Sequence, residues 1–229
     1  MNKFLLLWIE APLQSWGVDS KFGHRNTVAF PTKSGILGLL CAAAGASGEQ
    51  KDLLFQMSSL KQTVISFKNP KKEVTFQLTD FHMIGSGYKN TPWEKLLSPK
   101  TLEEKPSNAG PSKITYRDYL QNKKFAVIVE APLSLLELFS EGLKNPVFSI
   151  YFGRKNCVPT DLVFRGIFDN EDQAFETIKV ISEEKNLIEN FRVIDGNFEG
   201  DSLSINDVPI TFGTIKQYRE RMITIQKKE

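Results

Sequence analysis

The stretch from Gln14 to Gly45, QSWGVDSKFGHRNTVAFPTKSGILGLLCAAAG, most constrains what this chain can fold into. The apolar run Phe4 to Ile9 precedes it and reads as a central strand covered on both faces. A polar loop holding Trp16, Lys21, His24 and Arg25 then meets a helix start at Phe30, Pro31, Thr32, Lys33 and Ser34. Thr32 or Ser34 can cap that helix by accepting an early backbone N–H, and Pro31 sits where no N–H is missed. A capped start leaves free N–H groups and a positive dipole end, which together favour an anion such as phosphate. Lys33 and Arg25 would add full charges beside it.

Inside the helix, Gly35, Gly38, Ala42 and Gly45 share one face, while Ile36, Leu39, Leu40 and Ala43 form a larger apolar face suited to a sheet. An interior glycine costs about 1 kcal/mol relative to alanine, a cost tolerated where something must approach the backbone closely. Two readings stand: the small stripe packs on a neighbouring strand, or a ligand backbone lies along it. Lys33-Ser34 imitates the end of a Walker A loop, but that motif needs glycine at positions 27 and 32, and both are threonine. A nucleoside-triphosphate cradle is excluded.

The run Ala11 to Gly17 (APLQSWG), then Arg25, then Phe30 to Leu40 (FPTKSGILGLL) resembles the CasD family, the Cas five RAMP-type subunits of the type I-E CRISPR Cascade. Thr79 to His82 (TDFH), Tyr116 to Leu120 (YRDYL) and Tyr151 to Cys157 (YFGRKNC) fit the same pattern in the same order. The resemblance implies an α+β fold: a ferredoxin-like (RRM-like) RAMP core over 1–145 with an inserted β-hairpin thumb at about 84–113. A less regular, strand-containing C-terminal part, 146–229, would pack on that core. It also implies a non-catalytic RNA-binding subunit that holds the 5′ handle of the CRISPR RNA and caps the backbone filament for antiviral DNA targeting. The partners implied are the handle, the backbone subunit CasC and the large subunit CasA, with target DNA met only through the complex.

On that reading Lys33, Ser34 and the helix N–H groups, with Thr32, Gly35 and Gly38 around them, take handle phosphates. Gln14, Trp16, His24 and Arg25 supply charge and stacking from the loop. Lys113, Arg117, Arg154 and Lys155 contribute from further along, and Tyr88, Lys89 and Trp93 are the thumb contacts. An aromatic among lysines suits base stacking plus phosphate contact. No cofactor and no metal are expected.

Composition narrows the classes. With 229 residues, 41% hydrophobic and 24% charged, the chain can bury an ordinary globular core. A net charge of only +2 means that RNA binding must come from a local patch. Cys41 and Cys157 form neither a ligand set nor a disulfide framework, which suits a reducing, cytoplasmic setting. Phe4 to Ile9 is too short for a signal segment and is interrupted by Glu10, so no leader is expected. The two histidines make no metal-binding spacing with carboxylates, and there is no nucleophile elbow. Metal-independent cleavage of repeat RNA is the alternative, since His24, His82, Tyr88 and Tyr116 are the right residue types. A pure assembly subunit is a third reading.

Along the chain, Gln50 to Leu60 reads as a short helix. Gln62 to Lys68 and Val74 to Phe81 read as a β-hairpin with a basic tip at Lys68, Lys71 and Lys72. A strand over Phe125 to Val129, a helix over Leu133 to Leu143, a strand over Leu162 to Phe168 and a helix over Glu171 to Glu184 follow. Weak alternation appears at Asn190 to Ile194 and Ser202 to Ile210. The C-terminal segment carries Lys216, Arg219, Arg221, Lys227 and Lys228, which could line RNA or a partner but read first as a solvated tail.

Overall fold

The computed structural model describes residues 2–18, 23–71, 77–84 and 113–228. The elements, in chain order, are β1 (Asn2–Glu10), β2 (Leu13–Gln14), β3 (His24–Arg25), α1 (Lys33–Ala43), α2 (Lys51–Ser58), β4 (Gln62–Lys68), β5 (Gln77–Ile84), β6 (Lys113–Gln121), β7 (Lys124–Pro132), α3 (Leu133–Lys144), β8 (Phe164–Phe168), α4 (Glu171–Glu184), β9 (Ile188–Asp195), β10 (Asp201–Thr211) and β11 (Gln217–Lys227). No described helix is long and apolar enough to cross a membrane.

Leu5 to Ile9 have no exposed surface at all, and alternation explains why. Leu5, Leu7 and Ile9 join one core with Ile36, Leu40, Leu136 and Phe139 from α1 and α3. Leu6 and Trp8 point the other way, into a second core with Ala174, Ile178 and Ile181 of α4. Burying each such side chain is worth about 1.5–3 kcal/mol, so β1 is fixed inside the sheet, between β7 and β8, with a core on each face.

The large sheet runs β10-β11-β9-β4-β7-β1-β8, and every neighbouring pair is antiparallel. Its β4-β7-β1-β8 portion, with α1 and α3 as crossovers, has the strand order of a ferredoxin-like βαββαβ unit. The fourth strand of that unit, Phe164–Phe168, lies beyond residue 145, the limit expected for the core. β9, β11 and β10 then extend the same sheet past β4, so the C-terminal part continues the core.

Two sequence expectations are corrected here. β4 does not form a hairpin with β5: it pairs with β7 and β9, while β5 pairs with β6 in a small second sheet that also holds β2 and β3. Gln62 to Phe67 is buried or nearly so, which suits a strand covered on both faces, whereas β5 is largely exposed and carries Asp80 and His82. Residues 72–76, including Lys72 of the expected tip, lie outside the described residues. The second correction concerns the C-terminus. Gln217 to Lys227 is a strand between β10 and β9, not a solvated tail, because Ile223 is buried in the main core and Arg221 in the same alternation turns inward to the buried Asp207 and the part-buried Asp195. The expected thumb, with Tyr88, Lys89 and Trp93, lies outside the described residues.

Candidate functional site

Thr32 caps α1, its Oγ1 accepting from the Gly35 N–H at 3.2 Å. The helix start does not await an external anion. The Lys33 N–H donates to Asp207 Oδ2 at 2.7 Å, so a carboxylate of the protein already occupies the positive end of the dipole. Asp207 reaches it because it is the extra residue of a β-bulge between Asn206 and Val208 in β10, and a bulge re-aims a side chain.

Lys33 is likewise corrected. It is 4% exposed, its Nζ donates to the Leu60 carbonyl, and Asp195 Oδ2 lies 3.2 Å away. Burial pushes its ammonium below the ordinary lysine value, against the pull of Asp195. Arg221 completes the cluster, bonded to Asp195 and, through Nε at 2.6 Å and Nη2 at 2.8 Å, to both oxygens of Asp207. Burial alone would lower the Arg221 value, but Asp207 and Asp195 outweigh it. This ion cluster ties the α1 N-terminus to β9, β10 and β11. It serves the protein and leaves Lys33 no reach to a phosphate.

A groove of about 630 Å³ opens beside the small face of α1. Gly38 and Ala42 form its floor, and a Cβ added to Gly38 would meet only the Phe212 ring at 3.8 Å. Gly35 is different: a Cβ there would lie 2.7 Å from the Trp16 ring. The small stripe therefore divides between packing and an open channel. One wall comes from the Ser15 to Gly17 loop and Arg25, and another from Phe148 to Arg154. The third comes from the β10–β11 connection, with Phe212, Gly213 and the exposed Lys216, and from Tyr218 at the start of β11.

Arg154 is held in place rather than neutralised. Its Nη1 donates to the Asp118 carbonyl at 2.9 Å, its Nη2 to the Arg25 carbonyl at 2.7 Å, and the guanidinium lies 4.5 Å from the Tyr119 ring centre. The preceding turn is built for this. Gly153 has φ +92°, and a Cβ there would sit 1.7 Å from the Ser15 carbonyl oxygen, so only glycine fits. The Ser15 N–H donates to the Phe152 carbonyl at 3.0 Å, locking the two groove walls together.

The other expected site residues separate by environment. Trp16 is 1% exposed, with its Nε1 donating to Gln14 Oε1 at 3.1 Å, and Gln14 is fully buried and bonded to the Lys123 carbonyl at 2.7 Å. Both side chains are taken up by the protein's own packing and support the groove wall, Trp16 in tight contact with Gly35, which differs from the exposed stacking and charge expected of the loop. Thr32, Ser34, Gly35, Gly38, Arg25 and Arg154 line the groove. Lys155 is exposed but outside it, and His24 and Arg117 stand on the small sheet, as does the backbone of Lys113.

His24 Nε2 lies 2.8 Å from Asp118 Oδ2, and His82 pairs with Asp80. Register places His24 beside Tyr116, which is opposite Phe81; His82, the next residue after Phe81, therefore faces the other side of the sheet. Two histidines on opposite faces cannot serve one phosphodiester as base and acid. Burial raises both thiols, Cys41 to about 11. Sequence reasoning missed Asp207 and Tyr218 and named Lys216 and Arg221 only as C-terminal cations, and no local spacing could have linked any of the four to a helix more than 160 residues earlier.

Fold and site define a class: a ferredoxin-like α+β protein whose sheet carries a small-residue groove rimmed by cations. The chain belongs to the CRISPR-associated Cas five family, whose model, described as CRISPR-associated protein (Cas_Cas5), matches residues 4–224. It is similar to the CRISPR system Cascade subunit CasD of Escherichia coli (strain K12), 28% identical over 180 residues, or 75% of this chain and 74% of that protein. A solved chain described as part of a CRISPR RNA-guided surveillance complex superposes with a TM-score of 0.72 at 25% identity, covering 99% of this chain and 90% of that one. A second, described as the crystal structure of a Cas protein, shares the fold with a TM-score of 0.62 at 24% identity over 98% and 94% of the two chains.

Proposed function

We propose that this protein is a non-catalytic, RNA-binding subunit of a type I-E Cascade that holds the 5′ handle of the CRISPR RNA. The observation that carries the reading is the groove itself: an open floor at Gly38 and Ala42, with Arg25, Arg154 and Lys216 around it. A floor without side chains lets a polynucleotide backbone come close, and three cations on separate walls suit successive phosphates. The hydrogen bonds that orient Arg154 go to main-chain carbonyls of Asp118 and Arg25 and not to carboxylates. In this reading Lys33 organises the groove from beneath instead of touching RNA. By family analogy the same subunit caps the CasC filament and contacts CasA, and target DNA is reached only through the assembled complex.

The absence of cleavage is part of the proposal, supported by the two histidines facing opposite sides of the small sheet. The test is a binding titration of purified protein with labelled repeat RNA in excess EDTA, read for both shift and cleavage. The proposal expects a salt-sensitive shift with intact RNA that is weakened by Arg154→Ala or Lys216→Ala. Discrete cutting abolished by His24→Ala would make the protein a processing nuclease. Unchanged RNA affinity in both cation variants, together with failure to join the complex, would make it an assembly subunit.

A further inference from the structure

The small sheet has an outer face that the groove does not use. On β6, Tyr119 is buried in the main core, so Ile114 and Tyr116, in the opposite phase, turn outward. β5 sets Phe81 directly opposite Tyr116 and Met83 opposite Ile114. β3 brings His24 alongside Tyr116. Phe81 is 55% exposed and Tyr116 46%, and their ring centres lie 5.6 Å apart. His24 stands 6.1 Å from Tyr116 on the other side, so three rings cross three adjacent strands. The carboxylate on this face, Asp118, is not presented to solvent: His24 and the Thr79 hydroxyl, each at 2.8 Å, engage its two oxygens.

We propose that Phe81, Tyr116 and His24 form a stacking platform for unpaired bases of the same RNA whose backbone occupies the groove. The proposal rests on the RNA-binding reading and extends it to a surface outside the groove. Continuity carries it. His24 is on the platform and Arg25, the next residue, lines the groove, so a strand leaving the groove around β3 arrives at the rings. Arg154 fixes that junction by bonding the carbonyls of both Arg25 and Asp118. Exposed rings side by side on a sheet, flanked by cations and, among the described residues, free of a presented carboxylate, match the chemistry of single-stranded bases, each of which offers a π-face.

The test uses the full chain and an oligouridine RNA, with binding measured over a salt series and contacts mapped by zero-length ultraviolet crosslinking. Tyr116→Leu keeps an apolar strand residue but removes the ring; Tyr116→Phe keeps the ring. The expected result is roughly tenfold weaker binding for Tyr116→Leu with an unchanged salt slope, near-normal binding for Tyr116→Phe, and crosslinks at Phe81 or Tyr116. Arg154→Ala should instead reduce the salt slope, because it removes a phosphate contact. If Tyr116→Leu and Phe81→Leu bind as wild type while Arg154→Ala is weakened, the platform is wrong and the groove stands. If none of the three is weakened, the RNA reading itself fails. Normal RNA binding combined with loss of assembly into the complex would assign this face to a protein partner and overturn the proposal.

Discussion

At Gly38 an added Cβ meets the edge of the Phe212 ring at ordinary contact distance, whereas at Gly35 it strikes Trp16 at 2.7 Å. Two glycines a single helical turn apart should therefore respond in opposite ways. Gly38→Ala should stabilise the protein by about 1 kcal/mol through helix propensity. Gly35→Ala should destabilise it by about 1–3 kcal/mol, because the buried indole has no room to retreat. Urea unfolding of both variants checks the pair. Gly38→Leu, which folds but fills the channel, should lose RNA affinity with little change in stability. Lys33 and Arg221 make a similar contrast with Arg154. Arg221→Met strands the buried Asp207 carboxylate and should cost about 3–5 kcal/mol in unfolding free energy. The salt dependence of RNA binding by the folded fraction should be unaltered, since neither cluster cation reaches the groove.

The elements differ in how plainly the sequence announced them. β1, α1, α3 and α4 follow from unbroken apolar runs or clear helical periodicity, and α4 also carries its cap, Asn170, whose side chain accepts from Gln173 N–H at 3.0 Å. β11 was obscured because its inward-facing phase begins with Arg221, whose partners at 195 and 207 are specified only by the tertiary fold. β4 and β5 each look like a strand, but nothing local says that one enters the large sheet and the other the small one. The groove was half legible: its glycine floor shows in the helix, while Lys216, in the β10–β11 connection, and Tyr218, at the start of β11, are brought near only by the sheet order. Lys33 misled for a related reason, since a cation at a helix start reads as a ligand contact until its carboxylate partner, Asp195, is known.

A separate element-scale link joins β1, the segment before β8 and the end of α4. Lys185 Nζ lies 2.9 Å from Glu10 and 2.8 Å from Asp161. Burial would raise both carboxyls, but hydrogen bonds from Lys185, joined by Trp8 at Glu10 and by the Leu162 N–H at Asp161, hold both below their ordinary values. Groups lowered on folding contribute stability that is fully present above their unfolded values, about pH 4, and is lost as pH falls through the folded values. Lys185→Met should therefore shift the acid-unfolding midpoint to higher pH and leave the neutral-pH fold intact. Circular dichroism over an acid series reads the change.

For the whole molecule, the large sheet is a scaffold that brings sequence-distant segments to one groove: the loop before α1, α1 itself, the turn around Gly153 and the β10–β11 connection. With a net charge of +2, the proposed RNA binding requires this local convergence to supply the attraction. The most direct measurement is the salt dependence of repeat-RNA binding in EDTA for wild type and for the combined Arg25→Ala, Arg154→Ala and Lys216→Ala variant. The account predicts intact RNA throughout and a logarithmic salt slope about 2 units shallower in the variant, at roughly 0.7 per lost single-strand phosphate contact. An unchanged slope and affinity in that variant, or RNA cut by the wild type, would contradict it.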